Sequence, residues 1–139
     1  MKDNDCQWAL LKNLQKNQYE RGQTIYDDNS LADKIYMIFK GTVNLRATNG
    51  YVFHQYVSLE TFGFSELFIN SKRNGEAYAH ETVKLYFLTK LDLVQIFEDF
   101  PDIRKSFTNR SIEHQKVLQA KRMKVVRKQP MFGFRKKLK

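Results

Sequence analysis

The chain has 139 residues, 42% hydrophobic and 14% aromatic, with eleven Phe and seven Tyr. That is enough for one domain with a packed core, and it excludes disorder over most of the length. The net charge of +9 sits wholly in residues 120–139, where Lys121, Arg122, Lys124, Arg127, Lys128, Arg135, Lys136, Lys137 and Lys139 meet no acid; the other fifteen Lys and Arg match the fifteen Asp and Glu, so a neutral domain carries a basic tail.

No apolar run approaches the length of a membrane span, and the polar start MKDNDC is not a secretory signal. Cys6 is the single cysteine, so no intrachain disulfide forms, which fits a reducing, intracellular and cytoplasmic setting. Cys6, His54, His80 and His114 show no metal-ligand spacing, and no metal site is expected.

In chain order, Asn4–Gln15 has Trp8, Leu10, Leu11 and Leu14 at helical spacing, which predicts a short amphipathic helix in an N-terminal segment 1–17. The period then changes. Ile, Val, Tyr and Phe dominate from Gln18 to Thr89, broken by Gly41 and by Asn49-Gly50, a hairpin signal. Strands are expected near 18–20, 24–26, 34–40, 42–47, 51–57, 76–80 and 83–89, a density that suggests a small barrel or roll.

Between these strands lies Thr61–Ala79, TFGFSELFINSKRNGEAYA. This stretch reads as an anion cradle. Gly63 lets backbone N–H groups come close, a short helix starting near Ser65 would aim free N–H groups at a phosphate, and Arg73 could fork onto it. On a strand, Asn74 and Glu76 face one side; if that side is the pocket, Glu76 would repel a phosphate or pair with Arg73. Glu66 reads as a helix-start charge.

After Thr89 the period is helical again. Thr89-x-x-Asp92 is a capping signature, and Leu93, Ile96, Phe97 and Phe100 form one face. Pro101 suits a second helix start, with Ile103, Phe107, His114, Val117 and Leu118 as its stripe and His114 at the solvent edge. Residues 121–128 alternate basic and apolar only loosely, and Pro130 and Gly133 end any helical tail.

A helix, short strands around a phosphate cradle and two further helices resemble the cyclic nucleotide-binding domain, the module of cAMP-dependent kinase regulators, cyclic-nucleotide-gated channels and catabolite activators. The resemblance covers about residues 18–118, which sets the domain at 18–119 and the tail at 120–139. Its ungapped match is Tyr26-Asp-Asp-Asn29-Ser30-Leu-Ala32-Asp33-Lys-Ile-Tyr36-Met-Ile38-Phe-Lys-Gly41, with Asn29 where the family has Gly and Gly22 at another turn. LYFLTKLDLVQIFEDFPDI is similar to the family's last strand, hinge helix and Pro-started lid helix. The resemblance implies an α+β fold: a small antiparallel β-roll or jelly-roll barrel with one N-terminal and two C-terminal helices. It also implies a phosphate cassette of Phe62, Gly63, Phe64, Ser65, Glu66, Leu67, Arg73 and Asn74.

The cassette departs from the pattern. The family's Phe-Gly-Glu becomes Phe62-Gly63-Phe64, and its glutamate accepts from the ribose 2′-OH, which Phe64 cannot do. Arg73 keeps the family's spacing for the phosphate arginine. A shifted alignment would make Glu66 the ribose ligand; the unshifted one keeps Phe62-Gly63 and is preferred, and Phe64 reads equally as a plug or a core aromatic. No nucleophile–base motif, Walker-type loop or room for a DNA-reading helix-turn-helix after the lid is present, so no enzyme is expected. The expectation is a regulatory or interaction module with no cofactor, whose possible ligand, cAMP or cGMP, binds weakly or not at all. A protein partner would read it out, and the tail would meet an acidic protein surface, an anionic membrane or nucleic acid. The alternative is a structural or docking subunit of a ciliary or membrane complex, anchored by the tail.

Overall fold

The alternation of buried and exposed side chains sets two sheets face to face. The computed structural model describes residues 2–69 and 71–131. Its elements are α1 (Lys2–Asn13), β1 (Gln15–Tyr19), β2 (Thr24–Tyr26), β3 (Lys34–Lys40), β4 (Val43–Arg46), β5 (Val52–Tyr56), β6 (Thr61–Phe62), β7 (Glu76–Ala79), β8 (Val83–Thr89), α2 (Lys90–Asp99) and α3 (Pro101–Val126). One antiparallel sheet has the order β1-β8-β3-β6 and the other β2-β7-β4-β5, so the roll is two four-stranded sheets and not a closed barrel.

Tyr36, Ile38, Val43, Leu45, Phe62, Ala77, Ala79, Val83 and Leu85 are buried together between the sheets. Each large member contributes roughly 1.5–3 kcal/mol of burial free energy. A second cluster of Ala32, Leu67, Leu88, Leu93 and Phe97 is packed by Leu10 of α1, by Leu14 just after it and by Ile103 and Phe107 of α3, which ties the helices to the roll. Among the described residues no helix is long and apolar enough to cross a membrane.

Local signals formed as read. Asn49-Gly50 turns the β4–β5 hairpin, with Gly50 at φ 93°. Asn29 adopts φ 62°, where Asn is the side chain best tolerated after Gly. Thr89 Oγ1 accepts from Asp92 N at 3.1 Å, and Pro101 opens α3.

Differences lie where partners are distant. The first helix ends at Asn13, and β1 already starts at Gln15, because Gln15–Tyr19 pair with Val83–Phe87. The two-residue β6 was not anticipated; it exists through pairing with Tyr36 and Met37 of β3. Val117 belongs to the expected buried stripe but is exposed. The loosely patterned stretch after Ala120 is helical to Val126. Its end is held by Asn49, whose Nδ2 donates to the Val125 carbonyl at 2.7 Å and whose own carbonyl accepts from Met131 N at 3.1 Å. Arg135, Lys136, Lys137, Lys139 and Gly133 lie outside the described residues.

Candidate functional site

The cassette crosses the roll next to the 27–33 loop, and backbone pairing fixes its arginine. Arg73 N donates to the Ser30 carbonyl at 2.9 Å and Asn29 N to the Arg73 carbonyl at 3.0 Å. The left-handed Asn29 thus lets the loop double back onto Arg73. Gly63 has φ 80°, and a Cβ there would stand 3.1 Å from both Arg73 Nη1 and a Tyr36 ring carbon. The close approach that Gly63 allows is therefore to the domain's own arginine.

The helix expected from Ser65 does not form. Residues 65–69 are a run of turns, closed by Ser71 N donating to the Glu66 carbonyl at 2.8 Å. Ser65, Glu66 and Leu67 all point inward and are buried, which a surface helix turn could not allow. The aligned N–H groups of a helix start are absent there.

Glu66 also differs from its expected role as a helix-start charge. Its side chain and that of Arg73 are each 1% exposed and form an ion pair, Nη1 to Oε1, at 3.1 Å. Nη1 also donates to the Gly63 carbonyl at 2.6 Å and Nη2 to the Lys34 carbonyl at 2.7 Å. The second Glu66 oxygen accepts from Asn74 N at 3.2 Å. The guanidinium lies over the Tyr26 ring, 4.1 Å from its centroid. Arg73 Nε and Asn74 Nδ2 are the buried side-chain atoms without a partner among the described residues. Glu76 does not pair with Arg73; Arg46 Nε and Thr24 Oγ1 each donate to its carboxylate at 2.8 Å. Burial pushes the Tyr26 hydroxyl well up from its ordinary pKa and that of Tyr56 likewise, the Glu66 carboxylate adding to both.

Phe64 faces α3. It stacks on His114 with centroids 5.0 Å apart and meets Phe107 at 6.0 Å. His114 is half-buried, at the rim of an open groove as a solvent-edge residue would be, and its Nε2 lies 2.9 Å from the Tyr56 hydroxyl. An open groove of about 490 Å³ beside Phe64 is lined by Asn109, Arg110, Glu113, His114 and Val117, and not by Arg73 or Glu66.

Helix α3 packs on the roll through Ser111, Gln115 and Leu118. Leu118 is buried within the core of the roll, and Ser65 Oγ donates to Gln115 Oε1 at 3.0 Å. Lys121 Nζ sits 2.8 Å from His54 Nδ1. Arg122 forks onto Asp28, with both nitrogen–oxygen distances 2.9 Å, and Asp28 Oδ1 also accepts from Gly75 N at 2.9 Å. Helix α3 is thereby tied to the loop that carries Arg73. Val125 packs against the core, Lys128 Nζ lies 4.9 Å from the Tyr51 centroid, and Lys124 and Arg127 are exposed.

Asp28, Tyr56 and Gln115 belong to this site and sequence reasoning did not single them out, while His54 was weighed only as a metal ligand. Asp28 lies inside the matched 26–41 stretch, and Arg122 stands one helical turn after Leu118, so a signal existed for that pair alone. Burial first, then Lys121, then His114 lower the His54 pKa to about 4, so Lys121 meets a neutral imidazole near pH 7. His114 is lowered by burial and then by Lys121.

The comparisons with known proteins agree with this architecture. The family model described as the cyclic nucleotide-binding domain matches residues 16–100. Among solved structures, a protein from Geobacter metallireducens superposes with TM-score 0.66 at 20% identity, covering 80% of this chain and 82% of that one. The C-linker and CNBHD of zELK channels, crystallised in the presence of cAMP, gives TM-score 0.69 at 16% identity and covers 79% of this chain; the chain spans 56% of that one. The N-terminal domain of a transcriptional regulator from Streptomyces coelicolor gives 0.67 at 22% identity, covering 81% and 83%. No curated protein matches the chain. The structural likenesses show the fold, and the family match spans more than half the sequence: the chain belongs to the cyclic nucleotide-binding domain family, with a cassette whose arginine is paired to its own Glu66.

Proposed function

We propose that the chain is a non-enzymatic regulatory or docking module whose nucleotide site is closed by its own residues, so that cAMP and cGMP bind weakly or not at all. The carrying observation is the Glu66–Arg73 pair, 1% exposed on both sides. A phosphate reaching Arg73 must displace a buried carboxylate and two backbone carbonyls, Gly63 and Lys34. Phe64, taken up by His114 and Phe107, offers the ribose no acceptor. The missing carboxylate alone weakens binding by about 1–3 kcal/mol, roughly tenfold to a hundredfold.

In the family, ligand draws the lid over the pocket, a population shift set by differential affinity. Here Leu118, Gln115 and Arg122 already hold the lid down, which favours output through a protein partner. The basic C-terminal stretch supplies an acidic surface with its contact. Calorimetric titration of the full chain with cAMP and with cGMP tests the reading. Binding weaker than micromolar, or none, is expected; sub-micromolar affinity for either nucleotide overturns it.

A further inference from the structure

Helix α3 has a second face. Its inner side, through Ser111, Gln115 and Leu118, is buried on the roll. On the outer side Ile112, Lys116, Gln119, Met123 and Val126 are all exposed and follow steps of four, three, four and three residues. That is the spacing of a coiled-coil seam, and it runs about 21 Å along the helix. Ile112, Met123 and Val126 are 40%, 54% and 39% exposed, a large apolar content for the outer face of a helix already packed on its inner one.

Charge decides what fits there. From Lys116 to Lys128 the sequence has six cations and no acid. Arg122 is taken by Asp28, Lys121 lies against His54 and Lys128 over Tyr51. Lys116 keeps an exposed pair with Glu113 at 3.6 Å, while Arg127 flanks the seam and Lys124 lies further round the helix, neither with an ion-pair partner among the described residues.

We infer that this seam docks an amphipathic helix of a partner protein, with acidic residues flanking its apolar stripe and one placed opposite Lys116. The inference deepens the reading of an acidic partner given above and rests on it. A second copy of this chain packed in parallel would set Lys116 against Lys116 in the seam and Arg127 against Arg127 beside it, with no acid after Glu113 to offset them. A bilayer is a poor match, because the apolar stripe is one residue wide, is interrupted by Lys116 and Gln119, and carries no aromatic side chain.

The test is fluorescence anisotropy on the full chain at about 0.15 M salt. The probes are a labelled helical peptide of about three heptads with Leu at seam positions and Glu at the flanks and opposite Lys116; the same peptide with Lys flanks; poly-glutamate of equal length; and phosphatidylcholine vesicles with about one-quarter phosphatidylserine. The acidic helical peptide is expected to bind about tenfold or more tightly than either the Lys-flanked peptide or poly-glutamate. Met123→Glu and, separately, Arg127→Glu should each reduce that affinity severalfold with unchanged circular dichroism. Arg127 lies past the helix, so that variant remains informative if Met123→Glu disturbs folding. Equal affinity for poly-glutamate overturns the seam and leaves the acidic-partner reading standing. Preferential vesicle binding, or self-association lost in Met123→Glu, overturns it in favour of those occupants. Failure of every anionic probe to bind overturns both.

Discussion

Glu66→Gln removes one charge from the most deeply buried part of the cassette and changes almost nothing in shape. The amide still accepts from Asn74 N, whose bond to Glu66 is 3.2 Å long, and the Gly63 and Lys34 carbonyls still accept from Arg73 at 2.6 and 2.7 Å. What is lost is the one carboxylate that, among the described residues, pairs with a guanidinium that is 1% exposed. Leaving one partner of a buried pair without the other costs about 3–5 kcal/mol, and the two retained carbonyls place this case near the lower end. For a domain of this size that is a fall in melting temperature of roughly 10 °C or more. Equilibrium denaturation in urea should show it as a lower midpoint at unchanged slope.

The same substitution has a second readout. With the carboxylate gone, a cyclic phosphate would meet a guanidinium held by neutral acceptors, so affinity for cAMP or cGMP should rise about tenfold or more over wild type. A loss of stability below about 1 kcal/mol would show that the pair is not buried in solution. Lost stability with no gain in nucleotide affinity would refute the argument that self-pairing closes the site. Adding Arg73→Met should then recover at least about half of the lost stability, since an apolar replacement of the whole pair removes the stranded charge.

What sequence could reveal divides along the range of the interaction. The hairpin at Asn49-Gly50, the Thr89 cap and Pro101 at the start of α3 rest on neighbours within four residues, and all were legible. The alternating burial of β7, from Glu76 to Ala79, is likewise a period that any alignment of apolar residues exposes. The cassette was legible as a place but not as chemistry. A glutamate in a polar turn reads as a surface charge, and nothing local says that Glu66 turns inward. It does so because the 27–33 loop pins Arg73 by pairing at Asn29 and Ser30, more than forty residues earlier in the chain. The tail shows the same limit. Charge counting gives nine cations after Gln119, but Arg122 finds Asp28 across 94 residues of sequence and leaves the free set.

Gly63→Ala should destabilise by about 1–3 kcal/mol, because φ is 80° and the new Cβ would press on Arg73 Nη1 and Tyr36 at 3.1 Å; thermal melts check it, and a neutral result would refute the close approach. Truncation after Gln119 removes the Arg122–Asp28 fork and the packing of Val125 and should cost roughly 2–3 kcal/mol, read as a lower urea midpoint; an unchanged midpoint would refute the packing of this stretch. The last expectation concerns pH. His54 and His114 are held below their ordinary value of 6.5, His54 at about 4, by burial first and then by Lys121. Above pH 6.5 both imidazoles are neutral in the folded and unfolded chain alike, so they add no slope. Below 6.5 the unfolded chain binds protons that the folded chain refuses, and the folded state loses ground until His54 itself titrates near 4. Carboxylates titrate in the same window, so the measure is a difference: urea midpoints of wild type and of His54→Gln/His114→Gln from pH 7.5 down to pH 4. The double variant should lose less stability on acidification than wild type. Parallel curves would mean that the imidazoles are not desolvated between α3 and the roll, and that α3 does not stay packed on the roll in solution.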